Sequence, residues 1–131
     1  MADQGTLPRL RQHPDERFRA SQHLIDLDAA AGRLAGETAS PRGHRQETLY
    51  RHGNLTVALF LFEAGAGLAE HKADGVVTIQ VLQGHIKINA EGQAHDLPAG
   101  RMLVLAPGVK HDVLAEQPSR MLLTISKESA R

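Results

Sequence analysis

The 131-residue chain balances fifteen Lys and Arg against fifteen Asp and Glu and contains no cysteine. Zero net charge withholds the positive field that nucleic-acid binding exploits, and the missing cysteines exclude disulfides, thiolate metal sites and thiol nucleophiles. No apolar run is long enough to span a bilayer, so the expectation is one soluble domain with one core, without nucleic-acid or membrane partners. The residues after Met1 lack the basic patch and apolar run of a secretory signal, which makes the cytoplasm the expected location.

Residues 1–21 are polar, hold Pro8 and Pro14, and show no sustained apolar period. They read as a loosely attached arm. Its arginines, Arg9, Arg11, Arg17 and Arg19, are interleaved with Asp15 and Glu16 and read as a solvated tail. Residues 22–45 form a segment expected to pack on the main body. Leu24, Leu27, Ala31 and Leu34 follow the three-and-four spacing of one helical face, weakened by Gly32 and Gly36. Ser40, Pro41, Arg42 and Gly43 make a turn cluster, and the barrel is expected over 46–127.

From Glu47 onward come short aliphatic and β-branched runs closed by glycine or proline: 48–51, 55–62, 68–71, 76–82, 85–90, 93–97, 101–105, 111–115 and 121–126. Strands this short and evenly spaced, with no long helix to cover an open sheet, predict an all-β sandwich or closed barrel. Phe60 and Phe62 share one strand face with Ala58 and read as barrel core, with Phe60 also a candidate to line a pocket. His13, His23 and His44 read as surface residues, and His85 as an exposed turn position.

The glycines and histidines between Gly65 and Ala115 carry a more specific pattern. Gly65 is followed after five residues by His71, then Ala73, Val77 and Gly84; Gly100 is followed by Ala106, Pro107, Gly108, His111 and Ala115. This order resembles the two signature motifs of the cupin family. Both glycines and the first histidine of the first motif are present, and Gly100, Gly108 and His111 match the second. Ala73 stands where the first motif has its second histidine, Val77 where it has its glutamate, and Ala115 where the second motif has its asparagine. The resemblance implies a double-stranded β-helix, the RmlC-like jelly-roll barrel, with a site among the inward side chains.

In metal-dependent cupins the three histidines and the glutamate hold one metal inside the barrel, and only His71 and His111 remain here. Two imidazoles fall short of the three protein ligands usual in catalytic zinc sites and of the facial triad of non-haem iron. Glu70 alternates to the opposite strand face, while Asp74, His52, Glu63 and His95 are further donors whose placement the sequence leaves open. The first reading is a small-ligand-binding module, its pocket lined by Phe60, Ala73, Val77 and Val113 around the two histidines. The alternative is a metal-dependent enzyme of the dioxygenase or isomerase type, using His71, His111 and an unidentified third ligand. Any metal bound by the pair alone would be a weakly held divalent transition ion such as nickel, zinc or iron. The resemblance and the strand edges of an open barrel also imply a homodimer.

Overall fold

The computed structural model describes residues 17–128. Lying wholly within these described residues are a short helix, α1 (Leu27–Ala35), and nine strands: β1 (His44–His52), β2 (Leu55–Phe62), β3 (Gly67–His71), β4 (Gly75–Gln83), β5 (His85–Ala90), β6 (Gln93–Pro98), β7 (Met102–Leu105), β8 (His111–Ala115) and β9 (Ser119–Lys127). All pairings are antiparallel and form two walls, a five-stranded sheet ordered β1-β2-β9-β4-β7 and a four-stranded sheet ordered β3-β8-β5-β6. These are the walls of the jelly-roll barrel, and every expected run became a strand. The largest difference is β1, which begins at His44, inside the segment expected to precede the barrel.

Alternation explains the walls. In β4 the odd residues Val77, Ile79 and Val81 are buried, as are Ile86, Ile88 and Ala90 in β5 and His111, Val113 and Ala115 in β8. One face of each strand therefore builds the core and the other meets solvent. Strand β2 is apolar from Val57 to Phe62 because it is covered on both faces. Ala58, Phe60 and Phe62 point into the barrel, whereas Leu59 lies beneath α1 with Ala30, Ala31, Leu34 and Leu49. The rings of Phe60 and Phe62 stack at 5.9 Å with 12° between planes, as core residues.

Helix α1 starts where Asp26 accepts a hydrogen bond from the Ala29 N–H at 3.0 Å, an N-cap that satisfies one of the free amides of the first turn. Leu24, counted with the helical face in the sequence, precedes this cap and is fully exposed. Two glycines set the four-stranded wall. Glu91 and Gly92 both adopt positive φ (51° and 80°), the backbone of a tight two-residue hairpin, and bring Ala90 opposite Gln93. Gly84, at φ 91°, turns the chain from one wall into the other.

The expected arm reaches too far along the chain. Its first sixteen residues lie outside the described region, but Phe18 is buried, edge-on to Tyr50 at 5.6 Å, and the Arg17 guanidinium donates to the Thr48 carbonyl at 2.7 Å. A single aromatic is invisible to a search for apolar periodicity, yet it docks this segment on β1.

Candidate functional site

His71 ends β3 and His111 begins β8, two strands 40 residues apart that pair antiparallel with these residues as Cα partners. The register shifts between Leu68 and His71, a bulge that turns both Leu68 and His71 toward the same wall face as Val113 and His111. The two imidazole centroids lie 4.3 Å apart, with the rings tilted by 57°. Ala90 and Gln93 continue the row across β5 and β6, so the pair sits at the end of the four-stranded wall that holds the β5–β6 turn.

Each ring is oriented by its own chain. His71 Nδ1 is 2.7 Å from the Ala69 carbonyl, and His111 Nδ1 is 3.0 Å from the Val109 carbonyl. A carbonyl only accepts, so Nδ1 carries the hydrogen in both, and the neutral form of either ring keeps its lone pair on Nε2. Neither Nε2 has a hydrogen-bond partner among the described residues, and no buried side-chain nitrogen or oxygen there lacks one. The Nε2 of His111 therefore reaches solvent although the residue as a whole is only 2% exposed. Burial holds the His111 pKa below the ordinary imidazole value and His71 adds to the fall, while the Val109 carbonyl and Asp112 act the other way. His111 is a neutral acceptor at the pH of a cell.

Phe60, Val77 and Val113, expected to line a pocket, are buried in the apolar cluster behind the pair, packed with Ile79, Ile88 and Met121. Ala73 is half-buried against the same cluster. It does not continue β3, which ends at His71; its carbonyl accepts from the Gly108 N–H at 2.9 Å, tying this connection to the loop before β8. The regular strand assumed to carry both residue 71 and residue 73 is thus interrupted, because the bulge and this loop contact redirect the chain. Two clefts of 320 and 270 Å³ lie elsewhere, one beside Arg45, Phe62, Gln83 and Ser119, the other beside His23, Tyr50 and Val57.

The residues present do not fit the four-ligand metal centre of metal-dependent cupins. Ala73 and Val77 carry no donor atom, and no third His, Asp or Glu among the described residues joins the pair in a ligating group. Glu70 and Asp74 are exposed, His52 stacks on Tyr50, Glu63 lies 3.9 Å from Arg45, and His95 is half-buried on β6 opposite Ile88. His13 lies outside the described residues. His44 is half-buried rather than a free surface residue, its Nδ1 3.2 Å from Ser40 Oγ and its ring beside Phe60 and Phe62.

Sequence reasoning missed a second polar group, on the outer face of the four-stranded wall. His85 Nε2 lies 2.6 Å from Asp96 Oδ1 and 3.6 Å from Glu116 Oε1, with Lys87 Nζ 3.2 Å from Glu116 Oε2. The hydrogen bond from His85 is the main cause holding the Asp96 carboxyl below its usual value; His85, Lys87 and Arg101 add their charges, and partial desolvation opposes them. The one local signal is the Glu91–Gly92 hairpin turn, which sets Lys87 opposite Asp96 and His85 one step away. Nothing in the sequence points to Glu116.

A family model described as the AraC-like ligand binding domain matches residues 56–124. No curated protein matches the chain in sequence. Solved structures similar to it include a conserved protein of unknown function from Streptococcus pyogenes (20% identity, TM-score 0.68, covering 85% of this chain and 92% of that one). A cupin superfamily protein from Desulfitobacterium hafniense is also 20% identical, with TM-score 0.66 over 72% of this chain and 87% of its own. Salicylate 1,2-dioxygenase from Pseudoaminobacter salicylatoxidans, solved as adducts with gentisate, is 19% identical with TM-score 0.64, over 76% of this chain and 31% of the enzyme. At these identities the likeness is one of fold.

Proposed function

The chain belongs to the family of AraC-like ligand-binding domains, and from that premise we propose that the His71–His111 end of its cupin barrel binds a small molecule without a catalytic metal. The observation that carries this reading is the orientation of the two rings. Each Nδ1–H is committed to a main-chain carbonyl, which leaves two neighbouring Nε2 lone pairs without a partner of their own. Two imidazole Nε2 acceptors side by side suit a ligand that presents hydroxyl or other hydrogen-bond donors. The apolar wall behind them, with half-buried Leu68, Ala73 and Val109, suits its carbon skeleton.

The enzyme alternative needs a third donor that the described residues do not bring to the pair. Ligand-observed NMR of the purified chain against a panel of sugars and small hydroxy acids tests the proposal. At least one compound should bind the native chain and lose binding in His111→Leu, which removes Nε2 while keeping an apolar filler. Hits that bind both forms equally would move the site elsewhere.

The proposal extends to a homodimer. The five-stranded sheet ends at β7, where Met102 and Val104 are 54% and 57% exposed, beside Val76 at 38%. An apolar strip along an unpaired strand edge is the surface a second copy would cover. No helix among the described residues is long and apolar enough to cross a membrane, and the cysteine-free sequence accords with a place in the reducing cytoplasm.

A further inference from the structure

The polar group on the outer face of the four-stranded wall draws its members from three strands. His85 opens β5, Asp96 lies in β6, and Glu116 immediately follows β8. His85 Nε2 and one oxygen from each carboxylate all lie within 4.8 Å of one another. We propose that His85, Asp96 and Glu116 form a second ligand site, one that takes a divalent transition metal through one imidazole nitrogen and two carboxylate oxygens and leaves a coordination position open to solvent.

Three features of the geometry support this assignment. First, the main chains that carry His85 and Glu116 are tied to each other. The His85 N–H donates to Ser119 Oγ at 3.0 Å, the His85 carbonyl accepts from the Glu116 N–H at 3.0 Å, and Ser119 is itself buried. His85 and Glu116 therefore cannot drift apart without opening the junction at Gly84. Second, the spacing is close to what a metal needs. Zinc bound to one imidazole and two carboxylates at about 2.0–2.2 Å sets neighbouring donor atoms roughly 3.3 Å apart. The pair at 3.6 Å is already there, and the pair at 2.6 Å, now bridged by a hydrogen, opens by less than an ångström when the metal replaces that hydrogen.

Third, the neighbouring cations are placed beside the site and not in it. Lys87 Nζ bonds Glu116 Oε2, the oxygen the metal does not need, while Oε1 faces His85. Lys87 also fixes the carboxylate's rotation, though its charge opposes a second cation. Arg101 donates to the Asp96 main-chain carbonyl at 3.4 Å, and so leaves the Asp96 carboxylate oxygens available. One nitrogen and two oxygens are a donor set for zinc, manganese or nickel rather than for thiophilic copper(I). With 30%, 59% and 41% of the three side chains exposed, a solvent molecule or a small anionic ligand can take the open position.

Calorimetric titration with zinc chloride tests the assignment, starting from His71→Ala so that the other histidine pair cannot chelate. That variant should take up one zinc per chain. Adding Asp96→Asn and Glu116→Gln, shape-preserving changes at exposed positions, should weaken zinc binding by at least about tenfold, no less than the loss of a supporting second-layer partner would. Lys87→Gln in the same background should strengthen it severalfold by removing the opposing charge. Denaturation midpoints without zinc will show that each variant is folded. No one-to-one uptake by folded His71→Ala would overturn the site, as would an affinity unchanged by the two carboxamide substitutions.

Discussion

His111 is a buried imidazole, and the acceptor role proposed for it requires the neutral ring, a combination with a measurable signature. Its pKa is depressed in the folded chain, chiefly by burial, so the unfolded chain binds the proton more readily. Stability is therefore complete above the unfolded value of about 6.5 and declines as the pH falls from there toward the lower folded value. His111→Leu should give a urea midpoint that changes less between pH 7 and pH 5 than that of the native chain; parallel curves would exclude His111 as the source. Gly84 is constrained by space as well as by its φ of 91°. A Cβ there would collide with the Pro118 carbonyl and with Ser119 Oγ, which accepts from the His85 N–H at the start of β5. Gly84→Ala should cost about 1–3 kcal/mol in chemical denaturation and also weaken any zinc binding that depends on His85. A loss below about 0.5 kcal/mol, the ordinary range for an uneventful surface change, would show that the turn relaxes freely.

Among the elements, α1 and the segment before it act as covers for the outer face of the five-stranded sheet. Leu34 and Leu59 are fully buried between helix and sheet, forming an apolar cluster separate from the barrel interior. The preceding segment adds Phe18, with Arg17 over its ring at 4.5 Å and Tyr50 edge-on. Deletion of residues 1–20 removes that aromatic and the Arg17 bond to Thr48. It should cost about 2 kcal/mol, the scale of one buried phenylalanine side chain. A denaturant midpoint indistinguishable from that of the full chain would mean that Phe18 adds nothing beyond covering Tyr50. On the other wall, the β5–β6 hairpin serves both ends of the sheet. Its turn closes beside His111, while its open end carries His85 and Asp96.

At the scale of the whole molecule, the exposed strip of Val76, Met102 and Val104 is the feature that a monomer leaves unexplained. Light scattering at micromolar concentration should give a dimer mass, and Val104→Glu should shift it to a monomer while the chain stays folded; a monomer mass for the native chain would end the dimer proposal. Strand positions and turns were legible in the sequence because they are local: alternation of burial, glycine at positive φ and proline at turns act over a few residues. The barrel type was legible through the order Gly65, His71, Gly84, Gly100, Gly108 and His111, a scaffold that persists where ligand residues such as those at 73 and 77 have changed. What the sequence could not determine was which distant side chains meet. The bulge that turns His71 toward His111, the departure of Ala73 from β3, the docking of Phe18 and the convergence of His85, Asp96 and Glu116 all depend on strand register between segments far apart in the chain. That register follows from how both walls close on one core, and only the tertiary structure decides it.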